Sequence, residues 1–204
     1  MHRHDRGERE GAKQPERFDA RRAAGLEDPA RFAYLPAEEI ARMLDVPRDG
    51  TLVDFGAGTG AYARAIARLR PDAAIFALDE LPPMLVFLRE RLIADPAPGV
   101  SPVLAGTPEA EALRGRADRV LALNVLHELG DAALDELARL LKPDGRALFI
   151  DWNADAVERP IGPPKEHVYT PAEVRKRLEA RGWRAGTERL FNYHYAFSAS
   201  LPAR

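Results

Sequence analysis

The residues best suited to ligand binding are three glycines that fall within five positions. Gly56, Gly58 and Gly60 directly follow the apolar run TLVDF, and Ala57 lies between the first two. Glycine at a strand-to-helix turn lets the backbone approach a ligand closely and directs amide N–H groups at it. The stretch therefore predicts a site for a nucleotide-like molecule. A tight turn without a ligand is the alternative, and the glycine spacing alone does not decide between them.

Two aspartates lie in the apolar runs near this turn. Asp79 ends the run AAIFALD, where an acidic side chain can accept both hydroxyls of an adenosine ribose. The alternative for Asp79 is a helix N-cap, and the glycine turn favours the ribose. Asp54 lies within the first apolar run, and a buried carboxylate needs a partner. An ammonium group of the ligand, or N–H donors of the loop, would supply that partner.

Candidate acid–base groups follow the fourth and fifth apolar runs. His127, in NVLHEL, suits a general base or a group that orients a substrate, and a histidine bonded to a loop is the alternative. The zinc pattern HExxH requires histidine at position 131, where the chain has Asp131, so no metal site is predicted. Asp151 and His167 lie in a proline-containing connection, which forms either a wall over a substrate pocket or a simple spacer.

These residues require a scaffold of strands and helices to bring them together. Apolar strand runs alternate with helical patterns, which predicts a parallel sheet covered on both faces. The last two strand runs are joined by a tight corner, which predicts a terminal antiparallel hairpin. The run NYHYAF in this hairpin places three aromatic residues on one face, as core, and His194 on the other.

The bulk properties of the chain indicate one domain. Its 204 residues can bury a sizeable core, with residues 1–17 as a mobile polar tail and residues 18–204 as the domain. Residues 18–50 form a helical lead-in to this domain. The formal net charge of -2 argues against nucleic acid as a partner, and the absence of cysteine excludes thiolate chemistry. No apolar run reaches the length of a membrane span and the start is no signal peptide, so a cytoplasmic protein is expected.

Four motifs resemble those of class I S-adenosylmethionine-dependent methyltransferases. They are VDFGAGTG, ALD, DRVLALNVLHEL and LKPDGRALFIDW, and the match resembles the branch shared by ubiquinone/menaquinone-biosynthesis and arsenite methyltransferases. The resemblance covers residues 17 to 200. It implies an α/β, Rossmann-like fold with a seven-stranded, mostly parallel sheet in the order 3-2-1-4-5-7-6. Strand 7 would be antiparallel, helices would cover both faces, and the lead-in would lie over the cofactor.

The resemblance also implies how the cofactor S-adenosylmethionine would be held. Asp54 and the three glycines would hold its methionine end, and Asp79 would bind its ribose. Glu80 or Leu81 would lie beside the adenine. Thr107 stands where many relatives have an acidic adenine contact, so a hydroxyl or a backbone carbonyl would replace that contact.

The resemblance further points to the residues around the reacting methyl group. Methyl transfer from a sulfonium is an in-line displacement, so orientation and exclusion of water are the main tasks of the enzyme. Asn124 would lie close to the reactive methyl. A base is needed only when the acceptor must lose a proton, and His127 leads the candidates, followed by Asp151 and His167.

The sequence therefore predicts a methyltransferase, monomeric or homodimeric, that acts on a small molecule and contacts neither nucleic acid nor membrane. An arsenite acceptor is not expected because the chain has no thiol, and NVLH stands in place of the NPPY of amino-group methyltransferases. Oxygen or carbon acceptors are therefore favoured. Two alternatives are a cofactor-binding module without turnover and a nicotinamide-dependent oxidoreductase. The pattern GxGxxA with Asp79 fits the oxidoreductase, but Asp54 and the terminal hairpin argue against it.

Overall fold

The computed structural model describes residues 19–202. The predicted tail, residues 1–17, lies outside the described residues. Within the described range, no helix has both the length and the apolar character needed to cross a membrane.

A single seven-stranded sheet organises the described chain. The strand order is β3-β2-β1-β4-β5-β7-β6, and the pairs among β1 to β5 are parallel. β7 runs antiparallel to both β5 and β6, as the terminal hairpin predicted. The predicted fold class is confirmed. The strands are β1 Thr51–Phe55, β2 Ala74–Asp79, β3 Val100–Leu104, β4 Ala117–Leu123, β5 Leu141–Trp152, β6 Arg184–Leu190 and β7 His194–Ser200.

The fifth strand is longer than the sequence pattern indicates. The motif KPDG, residues 142–145, predicts a turn before a strand at 146–151, but β5 begins at Leu141. Its register with β4 is irregular between Ala117 and Arg119. Leu141 pairs with Ala117 and Arg146 with Arg119, so residues 142–145 have no register partner in β4 and form the irregularity between these two pairs.

Within residues 19–202, seven α-helices accompany the sheet, together with 3-10 helices at Ala20–Glu27 and Lys165–His167. The predicted capping box of the last helix is present, because the Thr170 hydroxyl accepts from the Glu173 amide and the Glu173 carboxylate accepts from the Thr170 amide. The helices are α1 Ala30–Tyr34, α2 Ala37–Leu44, α3 Ala61–Leu69, α4 Pro82–Ala94, α5 Pro108–Glu111, α6 Asp131–Leu140 and α7 Pro171–Ala180.

Apolar side chains are buried on both faces of the sheet, as continuous apolar strands require. One core cluster lies between the sheet and α2, α3 and α4, and includes Ile40, Leu52, Ile66, Ile75 and Leu88. The second cluster lies between the sheet and α6 and α7, and includes Val120, Leu134, Leu137, Phe149 and Leu178. The carboxyl ends of β1, β2, β4 and β5 are thereby held along one edge, where the site residues follow.

Candidate functional site

A cleft of about 530 Å³ opens at the carboxyl ends of β1, β2 and β4. This volume suits a small-molecule ligand or cofactor. Apolar groups of the lead-in, of α4 and of the segment after β4 complete its walls. Eight residues predicted from the sequence line it, namely Asp54, Gly56, Ala57, Gly58, Asp79, Glu80, Leu81 and Asn124.

The glycine turn needs its glycines for two different reasons. Gly58 lines the cleft with φ +57°, and a Cβ there would lie 3.1 Å from the Leu26 Cδ1 atom of the lead-in. Gly60, with φ +72°, does not line the cleft, and its Cβ would lie 2.4 Å from Leu88 Cδ1 in the core. The absence of a side chain at Gly60 therefore lets α3 approach α4, and a cofactor contact at this position stays a prediction.

Asp79 ties the glycine turn to the end of β2. Its carboxylate accepts from the Gly58 amide at 2.7 Å and from the Leu81 amide at 2.8 Å. Burial raises the pKa of Asp79 above its ordinary value, although these two hydrogen bonds act in the opposite direction. Each carboxylate oxygen has a second lone pair, so the group can still accept hydroxyl donors from a ligand in the cleft.

Asp54 is a buried carboxylate on the floor of the cleft, with 3 % of its surface exposed. Burial, and then the nearby charge of Asp79, raise its pKa to about 7. The Arg31 guanidinium of α1 acts in the opposite direction. A ligand that carries an ammonium group would favour the ionised form of Asp54 and supply the partner this carboxylate needs.

Arg31 is a cleft residue that the sequence analysis missed. Its Nη1 donates to the Leu26 carbonyl at 2.6 Å, and its guanidinium carbon lies 5.2 Å from the centre of the Tyr62 ring. The side chain thus brings a positive charge to the cleft at the same end as Asp54. An arginine in a short helix carries no sequence signal for this role, because only the folding of the lead-in onto the sheet brings it there.

Asn124 follows β4 in a left-handed backbone conformation, with φ +57°. Asparagine tolerates this conformation better than most residues. The Asn124 amide donates to the Ile150 carbonyl at 2.8 Å, which fixes the turn beside β5. Its side-chain Oδ1 is buried in the cleft wall without a hydrogen-bond partner in the structure. A buried acceptor of this kind is typical of a ligand-binding position.

His127 and Asp151 form a buried pair behind the cleft. His127 Nδ1 lies 2.8 Å from Asp151 Oδ1, and the His127 amide donates to Asp151 Oδ2 at 2.8 Å. Burial opposes the charged imidazolium, but the Asp151 carboxylate outweighs it and raises the pKa of His127 above its ordinary value. His127 Nε2 lies 3.5 Å from Glu128 Oε1, and Glu128 lines the cleft although His127 and Asp151 do not.

Two further predicted residues lie away from the cleft wall. The Thr107 hydroxyl donates to the Leu104 carbonyl at 2.7 Å and caps α5 by accepting from the Ala110 amide. Both hydrogen bonds of the Thr107 hydroxyl are therefore made within its own turn. The preceding residues Ala105 and Gly106 line the cleft, and Thr107 does not. His167 ends the 3-10 helix after the long connection and does not line the cleft.

A cluster of aromatic rings lies where β5 ends and β7 begins. Trp152 pairs with His194 across the two strands, and their ring centres are 4.0 Å apart. Tyr34 of α1 lies parallel to His194, with ring centres 5.8 Å apart, and Tyr193 packs against Tyr34 at 5.7 Å. We refer to Tyr34, Trp152, Tyr193 and His194 as the aromatic cluster. Sequence analysis did not find it, because its members are far apart in the chain.

The described chain holds no group of three or more histidine, aspartate or glutamate side chains placed to bind a metal ion. The cleft instead fits an adenosyl amino acid. The acidic group at the end of β2, beside a glycine turn at a helix N-terminus, matches the ribose of such a ligand. The opposite charges on Asp54 and Arg31 match its ammonium and carboxylate groups.

Comparison with known proteins agrees with this fit. The family model described as a methyltransferase domain matches residues 53–147. The chain is 30 % identical over 151 residues to acetylserotonin O-methyltransferase of Rattus norvegicus, covering 71 % of this chain and 33 % of that protein. It is 35 % identical over 88 residues to release factor glutamine methyltransferase of Mycolicibacterium smegmatis, covering 36 % of this chain and 31 % of that protein. The chain thus spans about a third of the length of both curated relatives.

Among solved structures, a SAM-dependent methyltransferase from Aquifex aeolicus superposes with a TM-score of 0.81 at 26 % identity. The match covers 90 % of this chain and 98 % of that chain. The fold and the cleft are those of a Rossmann-like nucleotide-binding protein. With the similarities, they support a class I S-adenosylmethionine-dependent methyltransferase with S-adenosylmethionine as its cofactor.

Proposed function

We propose that this protein transfers a methyl group from S-adenosylmethionine to an oxygen atom of a small molecule. The observation that carries the proposal is the buried His127–Asp151 pair, whose Nε2 lies 3.5 Å from the carboxylate of the cleft residue Glu128. This pair would remove the proton of an acceptor hydroxyl. The similarity to acetylserotonin O-methyltransferase over 71 % of the chain supports oxygen as the acceptor atom.

Each end of the cleft would hold one part of the cofactor, which supplies a methyl group on a positively charged sulfur. Asp54 would bind its ammonium group and Arg31 its carboxylate, since the two side chains bring opposite charges to the same end of the cleft. Asp79 would accept the ribose hydroxyls. Glu80 and Leu81 line the wall where the adenine would lie.

The His127–Asp151 pair would supply the base. Asp151 accepts a hydrogen bond from the Nδ1–H group of His127, which would fix the tautomer and leave Nε2 as the basic nitrogen. Nε2 faces Glu128 at the cleft wall, so a proton from an acceptor hydroxyl has a short path to the imidazole. A base placed in this way contributes about 10²–10⁴-fold to a reaction that removes a proton.

The lead-in would exclude water from the reacting groups. Leu26 reaches over Gly58, and the neighbouring Glu27 carboxylate pairs with Arg64 of α3 at 2.5 Å. Both partners of this ion pair are largely buried, so it fastens the lead-in across the glycine turn. Orientation and water exclusion are the main contributions such a site makes to an in-line transfer.

Ligand-dependent stabilisation tests the cofactor assignment. S-adenosylhomocysteine at about 100 times its Kd should raise the unfolding temperature by about 5–10 °C, and NAD should not. Asp79→Asn should reduce the affinity for S-adenosylhomocysteine at least about tenfold, because it removes one hydroxyl-accepting oxygen. Asp144→Asn is the matched control, since Asp144 is exposed and does not line the cleft. Stabilisation by NAD instead would identify an oxidoreductase.

The transfer itself can be followed with isotope-labelled cofactor. A small-molecule extract incubated with the protein and methyl-deuterated S-adenosylmethionine should yield a labelled methyl ether, detected by mass spectrometry. His127→Asn should lower the labelled yield about a hundredfold without weakening S-adenosylhomocysteine binding. Cofactor binding without any labelled product would identify a binding module that does not turn over.

A further inference from the structure

His194, at the start of β7, is a fully buried histidine among aromatic rings. None of its surface is exposed, and neither ring nitrogen has a hydrogen-bond partner in the structure. It lies against Trp152 on one side and Tyr34 on another. A buried polar group without a partner is costly, and its presence in a folded protein calls for a reason.

The imidazole of His194 stays neutral under physiological conditions. Burial, reinforced by the positive charges of Arg31 and Arg159 and opposed by Asp151, lowers its pKa to about 3. A neutral imidazole carries one N–H donor and one acceptor nitrogen. The side chain therefore offers a matched donor and acceptor without being a useful base, unlike His127.

The position of His194 relates it to the cleft. The register places it beside Trp152, the last residue of β5, and Asn124 bonds to the same strand at Ile150. Tyr34, which lies on the imidazole, is three residues from Arg31, and Arg31 lines the cleft. The aromatic cluster thus lies one helical turn from Arg31, the residue proposed to bind the carboxylate of the cofactor.

Access to His194 depends on the helix that carries Tyr34. α1 has only five residues, and none of them is buried. Trp152 and His194 are fixed by the pairing of β5 with β7, so Tyr34 is the ring of the three that can move without disturbing the sheet. On the far side of Trp152, Gly162 packs so closely that an added Cβ would lie 2.8 Å from the indole. The long connection thus forms a fixed wall behind Trp152, and α1 is the side that can open.

We propose that His194 determines acceptor specificity and that the acceptor is a planar aromatic molecule bearing a hydroxyl group. This inference rests on the proposed methyltransferase function. The acceptor ring packs within the aromatic cluster in the place that Tyr34 vacates, and a polar substituent pairs with a ring nitrogen of His194. The rings supply apolar contact and stacking, and the imidazole selects for the polar substituent.

A set of three probe molecules separates these contributions. 4-Ethylphenol has the ring and the hydroxyl, ethylbenzene lacks the hydroxyl, and 4-ethylcyclohexanol lacks the aromatic ring. Binding is measured with saturating S-adenosylhomocysteine through the emission of Trp152, in a Trp183→Phe background that leaves Trp152 as the single tryptophan. We expect 4-ethylphenol to bind more tightly than either of the other two molecules and to change the emission.

His194→Phe preserves an aromatic ring and removes both nitrogens. It should weaken 4-ethylphenol binding about tenfold and leave ethylbenzene binding unchanged. Tyr195→Phe is the matched control, because it removes a buried hydroxyl without a partner one position away, in the core cluster on the other face of the sheet. An equal loss for both probes, or the same loss in Tyr195→Phe, would refute the role of His194.

A measurement on the unaltered protein covers the case in which His194→Phe fails to fold. With ¹⁵N-labelled histidine, 4-ethylphenol should shift the ring-nitrogen resonances of His194, and ethylbenzene should leave them in place. No shift, or tighter binding of 4-ethylcyclohexanol than of 4-ethylphenol, would overturn the inference. Failure of S-adenosylhomocysteine to bind at all would instead contradict the proposed function, so the two failures are distinguishable.

Discussion

At the scale of single residues, the carboxylate of Asp151 accepts three hydrogen bonds and orients His127. The donors are the His127 amide at 2.8 Å, His127 Nδ1 at 2.8 Å and the Trp152 amide at 2.7 Å. Asp151 is fully buried, so its charge acts on the imidazole with little screening. The pair therefore sets both the tautomer and the proton affinity of His127.

Replacement of Asp151 by asparagine tests this coupling without any knowledge of the acceptor. Asp151→Asn should lower the pKa of His127, because the charge that raises it is removed while burial remains. Histidine titration by NMR measures the shift, and comparison with His127→Asn assigns the resonance. An unchanged pKa of His127 would contradict the assigned pairing.

At the scale of elements, the glycine turn joins β1 to α3 and also sets how closely α3 approaches α4. Gly58 faces the lead-in across the cleft, whereas Gly60 faces Leu88 in the core. The same short motif thus serves ligand approach at one position and helix packing at the other. Substitutions at the two positions are expected to fail for different physical reasons.

Gly60→Ala should destabilise the protein more than Gly106→Ala does. Both glycines have positive φ, +72° and +77°, so both variants share the backbone strain of a left-handed alanine. Only Gly60 also meets Leu88, whereas nothing lies within 4 Å of a Cβ at Gly106. The difference in unfolding free energy, measured by urea denaturation, should be about 1–3 kcal/mol. Equal losses would show that the core yields to the added methyl group.

At the scale of the whole molecule, two buried ionisable groups, Asp54 and His194, have opposite effects on how stability changes with pH. Asp54 has a raised pKa of about 7, so the folded state holds its proton more tightly than the unfolded state. His194 has a lowered pKa of about 3, so the folded state holds its proton less tightly. Stability therefore falls with rising pH through Asp54 and rises with pH through His194.

Single variants should separate these two opposing trends between pH 3.8 and 6.5. His194→Phe should make the stability of the ligand-free protein fall more steeply with rising pH than in the wild type. Asp54→Asn should shift the slope in the opposite direction, each by up to about 1.4 kcal/mol per pH unit. Chemical denaturation across this range measures both slopes. The same slope in all three proteins would contradict the buried, shifted state of both groups.

The fold was predictable from local patterns because parallel strands buried on both faces must be continuously apolar. The alternation of apolar runs with helices, with the terminal hairpin, indicated the arrangement that β1 to β7 adopt. The cleft residues Asp54, Gly58 and Asp79 were predictable for a related reason. They follow strands directly, and the carboxyl ends of adjacent parallel strands meet at one edge.

Other features of the site had no such local signal. Arg31 enters the cleft only because the lead-in folds back over the glycine turn. Gly60 and Thr107 have residue types that are typical of a binding motif. In the structure Gly60 packs against Leu88 in the core, and the Thr107 side chain caps α5. The sequence pattern placed His194 on the strand face opposite three aromatic residues, yet in the structure the rings of Tyr34 and Trp152 cover it.

The sequence by itself determined the parallel sheet with its terminal hairpin, the glycine turn and the two aspartates that line the cleft, because strand periodicity and turn chemistry are local properties. The strand order came from the resemblance to the methyltransferase family. Only the tertiary structure decided that His127 is backed by Asp151 and that an aromatic cluster encloses a neutral histidine. Those contacts join residues that are distant in the chain, and burial sets their charge states. Proton affinity depends on the surroundings of a side chain, which the folded structure alone defines.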